Sequence, residues 1–243
     1  MDVRTVNGHN VLDLSDALLK EIKIHCEDAS IKVQCVGSPI NKVDYSPENR
    51  IAEVEKLKRA IHAAKILETS RIRLFSPVAS WEERKGVLEW MGQMAEIASN
   101  ADIGLLHEND AKFFGAYPSQ EKWLLEQLPR ETVKAAFDFS NAVMIGFDPM
   151  DDFYSWILPL TDTLHMKDFS RVQNQVVACG EGDGKILEFL TKAFQAGWSG
   201  ALTLEPHLKS AGPRGGWSGP ELFAYASQKM KTLATEAKRA ASS

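Results

Sequence analysis

Seven times along this chain a short apolar run rich in branched residues is followed by a longer stretch with helical spacing, and this alternation limits the fold more than any other feature. The runs are Asp2–Val6, Ile31–Gly37, Arg71–Phe75, Asp102–Glu108, Val133–Asp138, Thr163–Lys167 and Gly200–Glu205. The first helical stretch, "LSDALLKEIKIHCED", offers Ser15 as its N-cap, and the second, "NRIAEVEKLKRAIHAAKILE", starts at Asn49. "EERKGVLEWMGQMAEIAS", "SQEKWLLEQL", "DDFYSWILPL" and "KILEFLTKAFQAG" follow. "PELFAYASQKMKTLATEAKRA" closes the series with Pro220 in its first turn, where no backbone N–H is needed. Strand followed by helix throughout implies parallel strands with helical crossovers, and therefore a barrel or a doubly wound sheet. No linker divides the chain, so residues 1–243 read as one α/β domain. The Gly- and Pro-rich stretch Lys209–Pro220, between the last strand and the last helix, reads as an active-site loop.

Charge and cysteine narrow the partner and the setting. Lys and Arg number 28 against 33 Asp and Glu, a net charge of −5. Nucleic acids and anionic membranes call for a clustered basic excess, so neither is expected, and a small molecule is. Cys26, Cys35 and Cys179 are too few and too scattered for a disulfide framework or a Cys-x-x-Cys site, and read as core thiols in a reducing compartment. No apolar run approaches a membrane span and the N-terminus lacks a signal-peptide core, so the expected location is cytoplasmic.

Four consecutive strands end in a side chain able to ligate a metal: Glu108 in "LLHEND", Asp138 in "AAFDFSN", His165 in "TLHMKD" and Glu205 in "LTLEPH". In a parallel α/β barrel the strand C-termini share one rim, so these residues would converge. Any one of them could be an ordinary helix cap. Four in succession, each after an apolar run where an unpaired carboxylate is costly to bury, favour one divalent ion as cofactor. Mn²⁺, Mg²⁺ or Co²⁺ suits mostly carboxylate oxygens; Zn²⁺ is the remaining candidate, although a structural zinc site would use Cys and His.

Smaller signals surround these four. Lys42, just past a strand in "SPINKV", is a candidate for binding a substrate oxygen or phosphate. Lys167 alternates onto the face of His165 and, with Asp168, would form an ion pair that orients the histidine. His207, two residues past Glu205, is a candidate substrate contact. "GEGDG" opens a helix and could hold a phosphate on its N–H groups, but Glu181 and Asp183 oppose an anion there. His25 and His62 read as structural, and His107 would face away from Glu108.

The segments "SPINKV", "HEND", "FDFSNA", "HMKDFSR", "GEGDGKI" and "LTLEPH" resemble the sugar phosphate isomerase/epimerase family of xylose-isomerase-like TIM barrels, which includes ketose 3-epimerases, inosose dehydratases and, more distantly, endonuclease IV. The resemblance covers most of the chain and implies a TIM (β/α) barrel with Glu108, Asp138, His165 and Glu205 as metal ligands. It also implies substrate contacts at Arg171 and at Asn141, which stands where such epimerases usually have His. Members of the family begin with a strand and helix before the strand that Asp2–Val6 matches. The expectation is thus seven strands without the first βα unit, and strand edges that a second copy would cover in a homodimer.

The activity implied is isomerisation or epimerisation of a sugar or sugar phosphate. The metal would stabilise an enediolate while Glu108 and Glu205 act as acid and base on opposite faces. Two alternatives stand beside it. One is a dehydratase that expels a β-hydroxyl with Lys167 or His207 as acid, and the other is a non-catalytic binding or assembly protein. Endonuclease activity is disfavoured, because it needs more histidines and a cationic groove.

Overall fold

Branched and apolar residues at alternate positions build seven strands: β1 (Asp2–Val3), β2 (Cys35–Gly37), β3 (Arg71–Leu74), β4 (Gly104–Glu108), β5 (Val133–Asp138), β6 (Thr161–Met166) and β7 (Ala201–Leu204). The computed structural model describes residues 1–209 and 218–242. Among these, the strands are hydrogen-bonded neighbours in chain order from β1 to β7 within one sheet. A doubly wound sheet reverses its order at a switch point, whereas the sequential order found here is that of barrel winding. The main helices are α1 (Asp16–Asp28), α2 (Pro47–Ile66), α3 (Arg84–Ser99), α4 (Pro118–Gln127), α5 (Phe139–Met144), α6 (Ile186–Gln195) and α7 (Gly219–Ala241). No helix among the described residues is long and apolar enough to cross a membrane. Cys26, Cys35 and Cys179 are free and buried, and burial pushes the Cys179 thiol up to about 11.

The chain forms two compact units. The first comprises Met1–Glu108, Lys112–Gly115 and Ser119–Ala135. In it β1 pairs with β2, β2 with β3 and β3 with β4, all parallel, with Val36 opposite Ile72 and Ile72 opposite Leu105. Helix α2 packs on β2 and β3, and α3 on β4, burying Leu57, Trp90, Ile72 and Leu105 completely. The second unit comprises Asn109–Ala111, Ala116–Pro118 and the described residues of Ala136–Ser243. Here β6 and β7 pair in parallel with His165 opposite Thr203, and α6 packs on α7. Phe137, at the end of β5, has the rings of Phe139, Phe153 and Phe189 at 5.1, 5.0 and 5.7 Å between centroids.

Several boundaries differ from the sequence expectation, each for a local reason. Strand β1 stops at Val3, because Thr5–Val6 turns back as an antiparallel hairpin on His9–Asn10, with Asn7 and Gly8 both at positive φ (52° and 81°). Residues 31–34 lie outside β2. Helix α2 begins two residues before Asn49: Ser46 caps it by accepting from the Asn49 N–H at 3.1 Å, and Pro47 fills the first turn. Ser15 caps α1 as expected, accepting from the Leu18 N–H. "DDFYSWILPL" is no single helix but a π-helical turn at Pro149–Tyr154, three α-helical residues and a 3-10 turn at Leu158–Leu160, since Pro159 cannot donate the bond that would continue it. Of the loop Lys209–Pro220, residues 210–217 lie outside the described residues.

The phenylalanine cluster supports the strand end that carries Asp138. Phe137→Ala should therefore lower unfolding free energy by about 3–5 kcal/mol, read from the urea midpoint, while Phe137→Leu should cost much less. Equal losses in both variants would show that ring stacking, and not filled volume, holds this end of β5.

Candidate functional site

Asp138 is the last residue of β5 and the N-cap of α5, and its two oxygens face different tasks. Oδ1 accepts from the Asn141 N–H at 2.9 Å, the ordinary capping bond. Oδ2 faces the Lys167 ammonium at 2.7 Å. The backbone of Asp138 is clamped as well: its N–H donates to Asn109 Oδ1 at 2.8 Å and its carbonyl accepts from Asn109 Nδ2 at 3.0 Å. Asn141 Nδ2 donates to the Asn109 carbonyl at 2.8 Å. Asn109 therefore pairs with the strand end as a neighbouring backbone would, and it escaped the sequence reading. An Asn directly after a strand end is expected to bond local backbone, whereas this pairing spans 29 residues and so left no local signal.

His165 lies inside β6 and Lys167 just past its end, two residues apart and on one face as the alternation predicts. His165 Nδ1 lies 3.8 Å from Asp138 Oδ2 and 3.8 Å from Glu205 Oε2. Lys167 Nζ lies 3.1 Å from the same Glu205 oxygen. The other oxygen of Glu205, Oε1, faces His207 Nε2 at 3.3 Å. Burial opposes the charge on Glu205, yet the Lys167 ammonium and the His207 and His165 rings beside it hold its carboxyl well below the usual carboxylate range. Asp138, His165 and Glu205 each present a ligand atom within 4.8 Å of the others. Two carboxylates and an imidazole, none more than about a fifth exposed, form a donor set that could bind a divalent ion.

Asp168 has a different role from the one expected. It does not pair with Lys167; its buried carboxylate accepts the N–H groups of Phe169, Gly180, Gly182 and Gly184 at 2.8, 3.0, 3.0 and 2.9 Å. Burial pushes its pKa above the usual carboxylate range even against these four donors. The glycine-rich segment thus does bind an anion through its backbone, but the anion belongs to the protein. A Cβ at Gly182 would lie 2.5 Å from Asp168 Oδ1 and one at Gly184 2.7 Å from it, so the close approach requires glycine at both positions. Asp183 accepts from the Arg171 N–H at 2.7 Å, and Glu181 pairs with Lys229 at 2.7 Å. The exposed Arg171 donates through Nη2 to the Phe147 carbonyl at 2.8 Å.

The remaining candidates lie in the first unit. Glu108 ends β4, is buried, and forms an ion pair with Arg73, whose Nε lies 3.1 Å from Oε2; the arginine, itself buried, was not singled out from sequence because it sits inside a strand. Arg73 and Lys42 both range over the Phe75 ring, at 4.6 and 4.0 Å from its centroid, so Lys42 makes a cation–π contact there. His107 turns to a separate buried knot, with Nδ1 2.9 Å from Glu121 Oε1 and Nε2 2.9 Å from Ser76 Oγ. His62 pairs with Asp16 at 2.7 Å and His25 lies exposed on α1 near Glu21.

The family model described as a xylose isomerase-like TIM barrel matches residues 2–233. No curated protein matches the chain. Among solved structures, a D-tagatose 3-epimerase-like protein aligns with a TM-score of 0.80 at 15% identity, over 98% of this chain and 89% of its own. A xylose isomerase-like TIM barrel protein from Mycobacterium smegmatis, solved in complex with magnesium, aligns with a TM-score of 0.71 at 14% identity, over 95% and 81%. The protein named the probable 3-DHS dehydratase AsbF, from Bacillus anthracis, aligns with a TM-score of 0.70 at 16% identity, over 89% and 81%. At such identities these likenesses describe the fold.

Asp168→Ala would leave the four N–H groups without their acceptor, and should destabilise the protein by about 3 kcal/mol. Amide hydrogen exchange at Gly180, Gly182 and Gly184 should accelerate at the same time. Unchanged exchange at these glycines would show that the loop is held by other contacts.

Proposed function

Because the chain belongs to the xylose isomerase-like TIM barrel family, we propose that it is a divalent-metal-dependent isomerase or epimerase of a sugar or sugar phosphate, with Glu108, Asp138, His165 and Glu205 as ligands. The observation that carries this reading is the meeting of Asp138, His165 and Glu205, delivered by three different strand ends. Glu108, the carboxylate that ends β4, is included as the fourth ligand on the strength of the family resemblance. The donors fit Mn²⁺, Mg²⁺, Co²⁺ or Zn²⁺, and no cysteine takes part. When bound, such an ion would polarise the carbonyl of the sugar and stabilise negative charge on its oxygens.

The chain's own groups supply the proton transfer. A hydrogen α to a carbonyl is removed from one face by a carboxylate and returned from the other, which needs two such groups on different strands. Glu205 is one, held anionic by its neighbours, and its Oε1 is the proton-carrying atom because Oε2 already faces Lys167 and His165. His207, about one-fifth exposed at 3.3 Å from Oε1, can pass that proton to solvent. Glu108, paired with Arg73, is the second carboxylate. Asn141, Lys42, Arg171 and Lys167 provide hydrogen-bond donors for the substrate's oxygens. The name of the epimerase-like neighbour agrees with this chemistry, and the dehydratase neighbour marks the competing outcome.

Metal content and solvent deuterium exchange test the proposal together. The protein should hold one divalent ion per chain. In D₂O it should place deuterium beside the carbonyl of a ketose or ketose phosphate, and a chelator should abolish this reversibly. Glu205→Gln should slow exchange by about 10²–10⁴ without unfolding the chain. Loss of water from the sugar in place of exchange would assign a dehydratase. Metal binding with neither reaction across a panel of ketoses and their phosphates would sink the enzymatic reading.

A further inference from the structure

Lys167 is a buried ammonium on two carboxylate oxygens, Asp138 Oδ2 at 2.7 Å and Glu205 Oε2 at 3.1 Å. Those are also the two oxygens that face His165 Nδ1, each at 3.8 Å. The ammonium therefore neutralises the same atoms that a divalent ion would take. A carboxylate has a second oxygen, but neither partner has one to spare: Asp138 Oδ1 caps α5, and Glu205 Oε1 faces His207. Two buried carboxylates without a cation would be costly, and two cations sharing the same pair of oxygens repel one another. A lysine on a flexible four-carbon stem can meet both demands, because its charged head can move while its backbone stays on the strand end.

We infer that Lys167 is a placeholder cation: it occupies the two ligand oxygens in the metal-free protein and is displaced from them when a divalent ion binds, so that it competes with the ion. The inference rests on the metal reading above, but it concerns affinity and not the reaction. It differs from the usual reading of a lysine beside a metal site, in which the side chain steadies the ligands and assists binding. Competition and assistance predict opposite signs. Removing the ammonium should tighten metal binding under the first and loosen it under the second. Competition also accounts for a lysine placed on the same face as the ligating histidine, two residues along one strand, where a neutral side chain would suffice to fill space.

The test is titration of metal-stripped protein with Mn²⁺ by calorimetry, comparing wild type, Lys167→Met and Lys167→Arg. Lys167→Met should bind Mn²⁺ about tenfold more tightly or better, as expected for loss of a competing charge in a partly desolvated site, and Lys167→Arg should show no gain. Equal or weaker binding by Lys167→Met overturns the inference while leaving the metal site standing. No binding by any of the three proteins removes the metal site and the inference with it. Should Lys167→Met fail to fold, wild type suffices: in protein labelled with ¹⁵N-lysine, the Nζ signal that disappears in Lys167→Arg should shift as Mg²⁺ saturates the site. A signal that stays in place across the titration overturns displacement.

Discussion

The site depends on how one carboxylate is divided. Asp138 uses Oδ1 to cap α5 and Oδ2 to face Lys167, while its own N–H and C=O are held by the amide of Asn109. Cap, clamp and ion pair all fix the same residue, so Oδ2 has little freedom of direction. Preorganisation of this kind suits the ligand role proposed for Asp138, since a ligand already held in direction costs less to order around an ion. The aromatic cluster at Phe137 serves the same end from beneath, by filling the space under the strand that delivers Asp138.

That division also resolves a choice that sequence reasoning presented as exclusive. An acidic residue after a strand reads either as a helix cap or as a ligand; at Asp138 the two oxygens allow both. The seven strands were legible because branched apolar runs at strand length are hard to satisfy any other way in a chain of this size, whereas their sequential winding, which the pattern left open between a barrel and a doubly wound sheet, was expected from the family resemblance. The convergence of Asp138, His165 and Glu205 was legible for the same reason, as strand C-termini of parallel units share one side. What was not legible were contacts between side chain and backbone over long separations. Nothing in the local pattern around Asn109 names Asp138 as its partner, and nothing around Asp168 names Gly180, Gly182 and Gly184.

Boundaries failed where a short-range bond outweighed periodicity. Residues 2–6 alternate like one strand, but Asn7 and Gly8 accept positive φ and the chain turns into a hairpin. Ser46 with Pro47 starts α2 earlier than its apolar spacing shows, because the cap satisfies an N–H that the pattern ignores. In each case turn and cap chemistry, and not hydrophobic spacing, set the end of the element.

The bonds around Asp168 have a consequence for how this chain can vary. The carboxylate and the glycines that approach it form one unit: a side chain at Gly182 or Gly184 meets the carboxylate, and loss of the carboxylate strands the amides. Substitutions there are not independent: losing the carboxylate also removes an atom that a side chain at Gly182 or Gly184 would meet, so their costs do not add. A glycine-rich signature of this sort is therefore a lock whose key is built into the same polypeptide. Read alone it suggests a phosphate; read with Asp168, two residues past the end of β6, it describes a closed circuit.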